Sequence, residues 1–118
     1  MAAKDEVGRY GEDVAARGLT EQGWEVLERN WRTTGGELDI IAVDHGTLVA
    51  VEVKTRRSNT YGSPQEAVTW RKLTRIRRLT AEWLAAQRRT FPAVRVDVIA
   101  VTVAHAGAAS VEHLRGVE

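Results

Sequence analysis

Between Glu37 and Thr55 the chain writes two apolar β-segments back to back, Glu37–Val43 and Thr47–Thr55, around the short link Asp44-His45-Gly46. A connection that tight makes them an antiparallel hairpin. Apolar residues stand on both faces: Leu38 and Ile40 against Ile41 and Val43, then Val49, Val51 and Val53 against Leu48 and Ala50. Strands of this kind belong in the middle of a sheet that is covered on each side.

The flanking pattern supplies the cover. Val7, Tyr10, Val14, Ala15 and Leu19 recur at helical spacing and predict an amphipathic helix over Lys4–Gln22, stopped by Gly23. Trp24–Trp31 reads as a strand in which Trp24, Val26 and Glu28 oppose Glu25, Leu27 and Arg29, and Thr33-Thr34-Gly35-Gly36 reads as a turn. Arg56–Pro64 is polar and reads as a loop. A long helix is expected from Gln65 to Arg89, with Leu73, Ile76, Thr80, Trp83, Leu84 and Gln87 on one side and Arg71, Arg75 and Arg78 nearly opposite. Phe91-Pro92 closes it; Val94–Val103 is a further strand and Val111–Leu114 a short edge strand. The path from Thr47–Thr55 through the long helix to Val94–Val103 has the form of a parallel strand–helix–strand unit. The expected architecture is a single α/β domain spanning residues 1–118, a mixed sheet of four or five strands flanked by helices.

Composition narrows the chemistry. With no cysteine among 118 residues there is no disulfide framework, thiolate zinc site or cysteine nucleophile, which suits the reducing cytoplasm. The stretch Met1–Asp13 is too charged for a secretory core, and no apolar run exceeds the length of Ile40–Val43, far short of a bilayer span. Net charge is only +1, but ten of the 17 basic residues and two of the 16 acidic ones lie between Lys54 and Arg89. Such asymmetry describes either a surface that meets a polyanion or a solvated arginine-rich helix, set apart from a carboxylate-rich remainder.

Inside the apolar hairpin, Asp39 separates Leu38 from Ile40, and Glu52 and Lys54 interrupt the valine run. Burying an ionised group without a partner is costly, so these residues need a counter-charge or a cation. Glu52 and Lys54 are two apart on a strand and share a face, which Asp39 can reach from the neighbouring strand. Oxygen ligands of this sort suit Mg2+ or Mn2+, and a nearby ammonium can stabilise charge on a phosphodiester under attack. A structural Glu52–Lys54 salt bridge, or an exposed strand end, satisfies the same spacing.

The ordered series Gly36-Glu37-Leu38-Asp39-Ile40-Ile41-Ala42 and Val51-Glu52-Val53-Lys54-Thr55-Arg56 resembles the PD-(D/E)XK nuclease superfamily. It looks most like the YraN-like bacterial family, whose nearest relatives in pattern are the archaeal Holliday junction resolvases. Gly8-x-x-Gly11-Glu12-x-x-Ala15, Asn30, and Gly62-x-Pro64-x-Glu66-Ala67-Val68 leading to Lys72 extend the match over Gly8–Leu84. The resemblance implies a restriction-endonuclease-like fold. It implies that Asp39, Glu52 and the Val53 carbonyl hold the metal, that Lys54 is the catalytic lysine, and that Glu12 completes the acidic cluster. Glu37, expected on the opposite face of a regular strand, ranks below these. No proline precedes Asp39, where Glu37-Leu38 stands instead.

Arg56, Arg57, Arg71, Lys72, Arg75 and Arg78 form the expected phosphate-binding set, which gives affinity without sequence preference. Trp70 is open to base stacking, and Trp83 belongs to the apolar stripe. His45, His105 and His113 lack ligand spacing, Ser58, Ser63 and Ser110 lack a nucleophile elbow, and no phosphate-cradling glycine loop is present. The expected function is a magnesium-dependent DNA endonuclease acting on branched or otherwise structured DNA. The resemblance to resolvases implies a homodimer, because two cuts across a symmetric junction need two sites. The alternatives are a non-catalytic nucleic-acid-binding accessory module and, more remotely, a protein-interaction domain.

Overall fold

A computed structural model describes residues 3–57, 68–104 and 108–117. The chain runs α1 (Ala3–Glu21), β1 (Glu25–Thr33), β2 (Gly36–Asp44), β3 (Thr47–Arg56), α2 (Trp70–Ala85), β4 (Ala93–Thr102) and β5 (Ser110–Leu114). The strands form one sheet in sequence order, β1-β2-β3-β4-β5. Only β3 and β4 are parallel; the other neighbours are antiparallel. This is an α/β fold, a mixed sheet between two helices, as a restriction-endonuclease-like layout requires.

Each face has its own core. On the α1 side, Ala15, Ala16 and Leu19 pack on Trp24, Ile40, Ala42, Val49, Val51, Ile99 and Val101. On the α2 side, Leu73, Ile76, Leu79 and Trp83 pack on Leu38, Ile41, Val43, Leu48, Ala50 and Val96. Burial of aliphatic side chains on both faces is the main drive for this arrangement, at roughly 25 cal/mol per Å² of apolar surface. The β2–β3 connection turns at His45 and Gly46, both at positive φ (47° and 91°), the backbone a two-residue hairpin turn demands.

Three local readings are corrected. Leu38 does not share a face with Ile40: it packs with Ile41 and Val43 towards α2, while Ile40 turns to α1. The strict alternation breaks at Asp39, between them. Glu28 likewise parts from Trp24 and Val26, because a bulge between Val26 and Glu28 adds one residue to β1. Glu28 thereby faces α2, where its Oε1 accepts from Trp83 Nε1 at 3.0 Å. The second helix begins at Trp70, not Gln65, since the Thr69 hydroxyl caps it by accepting from the Lys72 N–H at 3.2 Å. It ends at Ala85 rather than Arg89: the amides of Ala86 and Gln87 tighten back onto the carbonyls of Trp83 and Leu84. Ser58, Ser63, Gly62, Pro64, Gln65–Ala67 and His105 lie outside the described residues.

Candidate metal centre and basic face

The candidate site sits where the hairpin forks. Pairing between β2 and β3 runs from Asp44↔Thr47 to Ile40↔Val51 and ends there. Beyond that point β2 pairs only with β1, as far as Gly36, and β3 only with β4, as far as Arg56. Asp39 closes the gap with its side chain: Oδ2 accepts from the Val53 N–H at 2.8 Å. The carboxylate thus takes the place of a main-chain carbonyl in the ladder, which accounts for the broken alternation around it.

Glu52 follows on β3, on the α2 side with Leu48 and Ala50. Its charge, together with those of Glu12 and Glu37, raises the Asp39 pKa. Burial is the largest cause, and the combined push reaches about 8 against only one opposing main-chain donor, Val53. The Glu52 charge therefore acts on Asp39 across the fork.

Glu12 enters from the other helix. Gly11 admits it: a methyl group at that position would fall inside the Thr55 side chain, so only glycine lets α1 lie this close to β3. Burial and the Glu37 charge raise the Glu12 pKa, while Arg29 and a side-chain hydrogen bond from Asn30 act in the opposite sense. Glu12 Oε1 is buried and has no hydrogen-bond partner among the described residues. Asn30 reaches Glu12 because it adopts positive φ (53°), which asparagine tolerates better than most residues. The sequence comparison had marked Asn30 without a role; the readable signal was an asparagine breaking a strand pattern.

Glu37 belongs nearer the cluster than regular alternation placed it, since both Asp39 and Glu12 feel its charge. It is also paired with Arg32 at 2.7 Å. The alternative, a Glu52–Lys54 bridge, does not form. Glu52 Oε2 is held instead by Lys72 Nζ of α2 at 2.7 Å, and Lys54 is exposed.

By chemistry these carboxylate oxygens are of the kind that hold a hard divalent cation, and one of them, Glu12 Oε1, is buried and unmatched among the described residues. Among the described residues, no three acids are gathered into a coordination shell. Asp39, Glu52, the Val53 carbonyl and Glu12 are the groups that would hold the ion.

The basic residues lie beside this fork. Arg71, Arg75 and Arg78 are exposed on α2. The Arg75 stem passes over Gly36 at the start of β2 and the Arg78 guanidinium over Gly35 in the turn before it, where added methyl groups would come within 3.5 Å of Arg75 Cδ and 3.8 Å of Arg78 Nη2. Arg57 is exposed and Arg56 partly buried at the end of β3. Trp70 is 73% exposed with the Arg71 guanidinium 5.9 Å from its ring, and Trp83 is core at 4%. Lys72, expected in the phosphate-binding set, is turned onto Glu52.

At the opposite end of β4 lies a polar cluster that the sequence reading passed over. Asp97 is fully buried, its Oδ1 accepting from Arg95 Nε (2.8 Å) and the Gly116 N–H (2.9 Å). Its Oδ2 accepts from Arg95 Nη2 (3.0 Å) and lies 2.8 Å from His113 Nε2. Arg95 also donates to Asp44 at 2.9 Å and stands over Trp24. Every oxygen there is matched, which marks a structural network.

No helix among the described residues is long and apolar enough to cross a membrane. The chain is 59% identical over 117 residues to a UPF0102 protein of Beutenbergia cavernae, covering 99% of each. It is 58% identical over 118 residues to a UPF0102 protein of Kineococcus radiotolerans, covering 99% of this chain and 97% of the relative. A Rhodococcus opacus UPF0102 protein is 50% identical over 115 residues, covering 98% of each. With residues 11–101 also matching the model of the uncharacterised protein family UPF0102, the chain belongs to that family.

Proposed function

We propose that this protein is a PD-(D/E)XK nuclease, similar to the archaeal Holliday junction resolvases, that hydrolyses DNA phosphodiester bonds with Mg2+ or Mn2+. The observation that carries the reading is the fork itself: buried Asp39 feels the charges of both Glu52 and Glu12, and Glu12 keeps a buried oxygen without a partner among the described residues. Burial of Asp39 and the repulsion from its acidic neighbours are costly, and a bound cation would offset both. When bound, such an ion supplies Lewis-acid stabilisation of the phosphate under attack.

The chain's own residues divide the remaining work. Asp39 and Glu52 hold and orient, with Asp39 fixed to the β3 backbone through Val53. Glu12 presents its free oxygen from the second face of the sheet. Lys54, exposed two residues beyond Glu52, offers a positioned ammonium to the water or to the phosphate charge. Arg71, Arg75, Arg78 and Arg57 grip the backbone on either side, and exposed Trp70 suits a substrate with unpaired bases, hence branched or structured DNA. Two such sites in a homodimer would match the symmetry of a four-way junction. The lack of cysteine is in keeping with work in the cytoplasm.

The test is cleavage of linear, flapped and four-way DNA by purified protein with Mg2+ or Mn2+. Lys54→Ala and Asp39→Asn should each abolish it while leaving the circular dichroism spectrum unchanged and the melting transition cooperative. Retained cleavage in either variant would place the chemistry elsewhere. The exposed Lys54 and the engagement of Glu52 by Lys72 favour a second reading, a DNA-binding module without catalysis. That reading requires salt-sensitive, metal-independent DNA binding that survives alanine at Glu52 and Lys54.

A further inference from the structure

We propose that Lys72 is the built-in counter-cation of the acidic fork: its ammonium holds Glu52 while no metal is bound and yields that carboxylate to an incoming divalent ion. The inference rests on the metal-centre reading above and adds to it a residue of the opposite helix.

The geometry is direct. Lys72 lies in the first turn of α2 and places Nζ 2.7 Å from Glu52 Oε2, the two side chains being 29% and 13% exposed. Glu52 is also the strongest source of charge repulsion at Asp39, ahead of Glu12 and Glu37. The ammonium thus offsets the carboxylate that most burdens the buried aspartate. Lys54, which spacing would have chosen for the task, is exposed and makes no ion pair among the described residues.

Lysine suits a partner that must leave. Its charge is a point at the end of a flexible stem, so it can withdraw without disturbing the backbone, unlike a guanidinium locked in two parallel bonds. The contrast stands in this same sheet, where Arg95 grips Asp97 through both Nε and Nη2. Glu52 can present its second oxygen to a divalent ion, but an ammonium and that ion held on one carboxylate repel each other and loosen the ion pair. Occupation of the fork by metal therefore releases Lys72, and its freed charge becomes available to the phosphate side.

The experiment labels lysines of the full-length protein with acetic anhydride, with and without Mn2+, and resolves each site by mass spectrometry. Lys4, outside the fork by sequence, is the internal reference. Lys72 should label slowly without Mn2+ and several times faster with it. In parallel, calorimetry should show Lys72→Met binding Mn2+ about fivefold more tightly than the wild type, since a partly exposed ion pair no longer competes. If Mn2+ binds, and Asp39→Asn abolishes binding, yet Lys72 labelling and the Lys72→Met affinity are unchanged, Lys72 is only a tether and the inference is overturned. If neither the wild type nor Lys72→Met binds Mn2+, the metal-centre reading itself fails. Should Lys72→Met not fold, the labelling of wild-type protein decides alone.

Discussion

Asp39 and Asp97 stand in one sheet, each between apolar neighbours in its strand, and each is pushed towards its protonated form by burial. At Asp97, His113, Arg95 and the Gly116 N–H override that push and hold the pKa down to about 2. At Asp39 a single main-chain donor is outweighed by three further carboxylates, and the pKa reaches about 8. One aspartate completes a network; the other is part of an incomplete one. Burial of a charged group therefore says little by itself. The count of donors around it separates a structural ion pair from a site prepared for a ligand.

The largest expected effect falls on the satisfied side. Asp97→Ala leaves Arg95 and His113 facing a void and should cost about 3–5 kcal/mol in denaturant unfolding, the usual penalty for breaking a buried pair. A loss below about 1 kcal/mol would remove the contrast between the two sites. Gly11→Ala comes next: the added methyl meets Thr55, and overpacking of this kind costs about 1–3 kcal/mol. It should also weaken Mn2+ binding by shifting Glu12, whereas Gly8→Ala, with open space around it, should do neither.

Asp39→Asn should have the opposite sign. Removing the charge from a crowded, buried position should raise stability by about 1 kcal/mol at pH 8 while cation binding is lost, the trade expected of a functional residue. Stability against pH sharpens the comparison further. Folded Asp39 keeps its proton to about pH 8 whereas the unfolded chain releases it near 3.8, so its contribution is full below 3.8 and is lost as pH rises to about 8. Folded Asp97, at about 2 against 3.8 unfolded, contributes above pH 4 and loses that contribution as pH falls towards 2. Denaturation at a series of pH values should show both limbs, the alkaline one missing in Asp39→Asn and the acid one missing in Asp97→Asn.

The sequence was informative wherever periodicity governs. All five strands and both helices stand where hydrophobic spacing and turn residues put them, apart from the ends of α2, where capping geometry decided. Asp39 and Glu52 were legible because charges stand out in an apolar hairpin. Partnership was not legible. Glu52-x-Lys54 and Arg95-x-Asp97 carry the same acid–base spacing on adjacent strands, yet only the second closes into a pair. What separates them is tertiary: α2 brings Lys72 to Glu52, while β5 and Gly116 enclose Asp97. Glu12 and Asn30 were opaque for a related reason. Their meeting depends on a close helix approach at Gly11 and on one positive φ, events that leave no periodic trace.

The hydrogen bond from Val53 to Asp39 turns one amide into a gauge. That proton is tied to a side chain at a place where the strands have parted, so its exchange with deuterium follows the engagement of a single carboxylate rather than the breathing of a ladder. A spectroscopist can read the state of the fork there, in solution and without any substrate, by watching one resonance.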